Sequence, residues 1–287
     1  MAIGDITLTS AMRANLVSLQ STEQLLGRTQ ERLSTGKRVN SAIDNPTNFF
    51  AARAHSQRAD LLNGLKDTIS EAVQTVKTAD NGVTGINRMI EAIRGVVTQA
   101  RSALNSTTSA TELSGLATQY NELIRQLNNT EQDASYKGVN FLGGTTVTLT
   151  VNFNEQATSQ LIMSGFNGSA SGLAISGGSQ TGVGTITSAN LSTATGLDGI
   201  ETSLYNALAT LRTQGGTLAA NLSILTTRQQ FITDMVNTLA EGATKLTVAD
   251  TNEEGANMLL LQTRQQLGTT ALSLSAQSNA AVLRLFG

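Results

Sequence analysis

Between residues 62 and 104 an apolar side chain stands at every third and fourth position without a miss: Leu62, Leu65, Ile69, Ala72, Val76, Ala79, Val83, Ile86, Ile90, Ile93, Val97, Ala100 and Leu104. This spacing lines one stripe of a helix for a partner. As one helix the segment is roughly 65 Å long at 1.5 Å per residue. Gly64, Gly82, Gly85 and Gly95 lie inside it, and each weakens an isolated helix by up to ~1 kcal/mol. The helix therefore depends on its seam, and any fold for this chain must lay other helices alongside it. The whole chain contains one proline, Pro46, upstream of this stretch, so no proline interrupts it.

Partners for that seam are visible. Leu197, Leu204, Leu211, Leu218, Leu225, Ile232, Leu239 and Leu246 recur every seven residues, with Leu208, Leu222, Val236 and Ala243 between them. A shorter series, Leu113, Leu116, Tyr120, Leu123 and Leu127, follows the first. Three matched seams predict an antiparallel bundle. Its core is assigned to Leu62, Ile69, Val76, Val83, Ile90 and Val97 on one long helix, and to Leu204, Leu211, Leu218, Leu225 and Ile232 on the other.

The outer ends carry similar patterns. Met12, Leu16, Leu19, Leu26 and Leu33 mark the first, and Leu260, Leu267, Ala271, Leu274 and Leu285 the last. Residues 256–287 hold only two charges, Arg264 and Arg284. A helix so weakly charged is poorly suited to standing alone in water, so these ten residues are the candidates for packing between copies. Both ends are expected to be mobile in the monomer and to order on assembly.

The middle is different in kind. Residues 143–196 carry a single charge, Glu155, among many Gly, Ser and Thr. Val147, Leu149, Val151 and Phe153 alternate with polar residues, which predicts a half-buried strand. A turn over residues 154–157 and a return strand over 160–164 follow. Beyond Gly165 a small exposed lobe is expected. The fold class is thus mainly α: an elongated antiparallel helical bundle with coiled-coil termini and a small β-hairpin. Residues 1–40 with 255–287 form a terminal domain, 41–164 with 197–254 a helical rod bearing the hairpin, and 165–196 a short variable surface segment.

Composition removes several classes of function. A net charge of −2 with 14% charged residues leaves no basic footprint for nucleic acid. No apolar run approaches the ~18 residues of a membrane span, and no basic-then-apolar leader opens the chain. There is no cysteine, hence no disulfide or thiolate metal site. The one histidine, His55, is read as a surface residue. Asp250, Glu253 and Glu254 are read as a charged linker and helix start, with Thr251 or Asn252 as cap. No nucleophile–base pair or ligand cluster supports an enzyme, and no cofactor is expected.

Several motifs carry a family resemblance. Residues 33–52, LSTGKRVNSAIDNPTNFFAA, resemble the flagellin N-terminal signature LSSGxRINSAxDDxAG. Residues 256–286 resemble the flagellin C-terminus, and SYKGVNFL over 135–142 resembles the F-N-G-x-x-x-L stretch ahead of that family's β-hairpin. The similarity covers residues 1–142 and 197–287. It implies the structural subunit of the bacterial flagellar filament, extracellular, a homopolymer serving swimming motility, with both termini in the inner layers. It also implies export unfolded through the flagellar type III channel, with an export chaperone at the C-terminal helix and cap and hook-junction proteins as partners. The alternative is a hook–filament junction protein. Asn45-Pro46 departs from the family form and is expected to bend the chain there. Ala92 and Gln119 stand where receptor-recognised flagellins carry arginine and glutamate, which implies weak recognition by the innate flagellin receptor. Gly82, Gly85 and Gly95 are candidates for a register slip that changes filament curvature.

Overall fold

The computed structural model describes residues 10–104, 110–176 and 185–286, with side chains to residue 281. In chain order the elements are α1 (Ser10–Thr35), α2 (Pro46–Leu104), α3 (Ala110–Asp133), β1 (Thr148–Asn152), β2 (Gln160–Ser164), α4 (Ser188–Leu191), α5 (Ala194–Thr247) and α6 (Thr251–Phe286). The protein is mainly α with one small sheet. Its chain divides into two compact units, Asp60–Val236 and Met1–Ala59 with Asn237–Gly287.

In the unit Asp60–Val236 the heptads of α2 and α5 supply the core. Leu62, Ile69, Val76, Val83, Ile90 and Val97 are buried on α2, and Leu204, Leu211, Leu218, Leu225 and Ile232 on α5. Polar contacts pin the two helices antiparallel. The Arg94 guanidinium lies 4.8 Å from the Tyr205 ring centroid and donates to the Tyr205 hydroxyl at 3.0 Å. Two turns further along, Arg101 pairs with Asp198 and, at 3.0 Å, with Glu201. On α3 the buried stripe is Leu113, Ala117, Tyr120, Ile124, Leu127 and Glu131. Leu116 and Leu123, expected inside, are only half-buried, because α3 turns its smaller Ala117 and its Ile124 to the core instead.

The hairpin is the one the alternation predicts. β1 and β2 pair antiparallel with Thr148 opposite Ser164 and Val151 opposite Leu161. Val151, Phe153 and Met163 face inward, and the Arg228 guanidinium sits 5.1 Å from the Phe153 ring centroid, tying the hairpin to α5.

The segment after the hairpin corrects the expectation of an exposed lobe. Ala170, Leu173, Ile175, Ile186 and Leu191 are buried. Three polar side chains of α3 hold this sparsely hydrophobic backbone. The Tyr120 hydroxyl donates to the Ser176 carbonyl at 2.8 Å, and the Asn121 amide exchanges two bonds with the Ile186 backbone. Asn128 Oδ1 accepts from the Ala170 N–H at 2.9 Å. Backbone groups satisfied in this way can be buried without strand pairing. Residues 177–184 of the expected lobe lie outside the described residues.

The glycines expected to let the seam slip have a packing role. A Cβ on Gly82 would stand 2.5 Å from Leu142 Cδ1 and 2.7 Å from Ala134 Cβ, and one on Gly85 would stand 3.0 Å from Thr130 Cγ2. The end of α3 and the loop after it sit on α2 at these two positions. A register slip there would bring side-chain-bearing residues under Ala134. Only Gly95 has open space beside it.

In the unit formed by the two ends of the chain, α1 lies antiparallel against α6. Gly36, at φ +66°, ends α1 in the left-handed conformation that favours glycine. The following strand-like step pairs with the link between α5 and α6. Arg38 N–H donates to the Thr247 carbonyl at 2.7 Å, and Ala249 N–H to the Gly36 carbonyl at 3.0 Å. Asn45-Pro46 starts α2: Asn45 Oδ1 accepts the Asn48 N–H at 3.0 Å and Pro46 occupies the first helical position, where its missing N–H costs nothing.

Candidate assembly surface

The site with functional potential is the α1·α6 pair, and its geometry follows from two overlapping heptads on each helix. On α1 the residues turned inward are Met12, Asn15, Leu19, Thr22, Leu26, Thr29 and Leu33; on α6 they are Glu254, Met258, Leu261, Gln265, Gly268, Leu272, Ser275 and Asn279. Each set steps by three and four, as a two-helix seam requires. Nearly half of its members are polar, so the seam is less greasy than those of α2 and α5.

Specific contacts set its register. Asn279 Nδ2 donates to Met12 Sδ at 3.0 Å at one end. Arg32 Nη1 donates to Glu254 Oε1 at 2.9 Å at the other. In between, a Cβ on Gly268 would meet Leu19 Cδ2 at 2.9 Å, so the absent side chain is what lets Leu19 lie against the α6 backbone. Of the polar seam positions of α1, Thr22 is satisfied within its own helix: its hydroxyl donates to the Ser18 carbonyl at 2.9 Å.

The ten candidates for packing between copies therefore separate. Met12, Leu19, Leu26 and Leu33 turn toward α6 of their own chain, while Leu16 is exposed. On α6, Leu260, Leu267 and Leu274 are 52%, 65% and 67% exposed, and Ala271 is exposed beside them. The side chain of Leu285 lies outside the described residues. At 100° per residue the leucine column sits about 130° around α6 from the middle of the seam. Three leucines one heptad apart on an outward face form an apolar strip that the monomer leaves in water.

The acidic run near α6 resolves into two jobs. Asp250 caps the helix, its Oδ1 accepting from the N–H of Asn252 at 2.9 Å and of Glu253 at 3.3 Å. The cap is thus Asp250, not Thr251 or Asn252, because the aspartate precedes the first helical residue and its short carboxylate reaches the exposed amides. Glu254 is buried as the partner of Arg32. From the sequence Glu254 reads only as part of a charged linker and helix start, and Gly268 does not stand out. A search for a 3–4 repeat that tolerates polar and small residues would have found the inner seam. His55 is half-buried on α2 near Gly242 of α5. Among the described residues no group of three or more acidic or histidine side chains is placed to hold a metal, and no helix is long and apolar enough to cross a membrane. Ala92 and Gln119 are both exposed.

A short turn leads into this unit's part of α2. Asp44 Oδ2 accepts from the Asn40 N–H at 3.1 Å and from the Ser41 N–H and hydroxyl at 2.9 and 3.1 Å. The Ser41 amide, and then its hydroxyl, hold the Asp44 carboxyl below the usual carboxylate range.

Comparison with known proteins points one way. The family model for the bacterial flagellin N-terminal helical region matches residues 6–147. Flagellin FljO of Caulobacter vibrioides is 27% identical over 100% of both chains. A flagellin of Brucella melitensis is 29% identical over 98% of each. A crystal structure of Bacillus cereus flagellin aligns with a TM-score of 0.46 at 18% identity, covering 57% of this chain and 88% of that one.

Proposed function

The chain belongs to the bacterial flagellins, and we propose that its α1·α6 pair is the part through which copies join into the filament. As a flagellin it is a structural subunit of the extracellular flagellar filament that drives swimming. The observation that carries the interface reading is the column Leu260, Leu267 and Leu274, apolar, regularly spaced and outward-facing on a stretch of helix whose one charged residue is Arg264. Covering a leucine fully is worth about 2 kcal/mol, so three that are half to two-thirds exposed offer about 3–4 kcal/mol per copy. Repeated along a polymer, that strip is a substantial driving force.

The same reading extends to partners. An export chaperone would bind the C-terminal helix before assembly, shielding the leucine column. Cap and hook-junction proteins would meet the subunit at the ends of the filament, after passage through the type III channel. The experiment is electron microscopy of purified protein after salt-induced polymerisation. Long helical tubes are expected, and a protein that stays monomeric at every salt concentration refutes the reading.

A further inference from the structure

We propose that Ile43 forms a knob that seats on the α6 leucine column of a second copy. The inference rests on the filament reading above and names a contact that reading leaves open. Ile43 is 94% exposed, an extreme position for an isoleucine. It lies in a turn that is held firmly from both sides. Asp44 accepts three hydrogen bonds from Asn40 and Ser41, and Asn45 caps the helix that follows. An apolar side chain at the apex of so fixed a turn gains nothing in the monomer. Its ordering cost has already been met within the chain, so little is lost when it docks.

The choice of occupant follows from symmetry. A contact of the knob with the same knob on another copy is isologous and closes into a dimer. A polymer needs a heterologous contact, in which one patch of each copy meets a different patch of the next. This terminal unit carries such a second patch, the strip of Leu260, Leu267 and Leu274. Arg264 is the one charged residue between Leu260 and Leu274, and Asp44 stands next to Ile43, so the charges flanking the two patches are opposite in sign. Neither carries like charges that would oppose their approach.

The natural chain has no cysteine, so introduced thiols report the contact directly. One population carries Ile43→Cys; three others carry Leu260→Cys, Leu267→Cys or Leu274→Cys. Filaments copolymerised from the first and one of the others are oxidised and run without reductant. Covalent dimers are expected in at least one mixture, and in none of the four populations polymerised alone. A companion variant, Ile43→Ser, should raise the critical concentration for polymerisation on the order of tenfold while leaving monomer circular dichroism unchanged. Filaments from the unaltered protein without any mixed-population dimers, or with dimers from Ile43→Cys alone, overturn the contact and leave the filament reading intact. Failure of the unaltered protein to polymerise removes both.

Discussion

Arg32 Nη1 lies 2.9 Å from Glu254 Oε1, joining the last turn of α1 to the first turn of α6. Each charge also suits its place, a cation near a helix C-terminus and an anion near a helix N-terminus. Glu254 is buried, so Arg32→Ala would leave a carboxylate without its counter-charge. The expected loss is about 1–3 kcal/mol, below the range for fully buried pairs because Arg32 keeps some access to water. Amide hydrogen exchange along α1 and α6 should quicken. Glu254→Gln should do less harm, since Arg32 can turn to solvent. Equal exchange rates in the native and Arg32→Ala proteins would count against this pair as the clamp.

Gly82 and Gly95 make a matched pair on one helix. Gly82→Ala drives a methyl group into Ala134 and Leu142, at an expected cost of about 1–3 kcal/mol from overpacking. Gly95→Ala meets open space and should stabilise α2 by about 0.5–1 kcal/mol through helix propensity. Thermal unfolding of the two variants should move in opposite directions; movement in the same direction refutes the packing role.

Glu131 is 4% exposed at the end of α3, and burial alone pushes its carboxyl above the ordinary range. The fold therefore prefers the protonated form. The stability this group allows is fully present below the unfolded-state pKa and is lost as pH rises through the higher folded value. Glu131→Gln cannot ionise, so it should be more stable than the native protein at neutral pH. The difference should shrink as the solution is acidified. Denaturant melts across that range would show it, and a gap that widens on acidification contradicts the assignment.

Deleting residues 260–287 removes the outer strip with most of α6. A soluble, largely helical monomer that forms no filaments is expected, read by circular dichroism and electron microscopy. A gentler change, serine at Leu260, Leu267 and Leu274 together, keeps the inner seam and should raise the critical concentration by about a hundredfold. Normal filaments from either chain would refute the role of the strip.

The seams of α2 and α5 were legible because a core residue buried on one face of a long helix must be apolar at every turn. Composition carries that constraint directly, from Leu62 to Val97 and from Leu204 to Ile232. The hairpin was legible for the same reason at period two. The packing of residues 165–176 and of Ile186 was not. Their burial depends on Tyr120, Asn121 and Asn128 satisfying backbone groups from another element, and no local pattern announces a partner so distant in sequence.

At the chain's ends, residue order alone established that both are helices with apolar columns and little charge. It left open which column turns inward. On α6 the set Met258, Leu261 and Leu272 competes with Leu260, Leu267 and Leu274, and the second is the more regular. The three-dimensional packing chose the first. Gly268 admits Leu19 on that side, and Glu254 and Asn279 on the same face find Arg32 and Met12. A polar or small residue in a seam reads as an interruption until its partner on the other helix is known. The more regular column was thereby left facing outward.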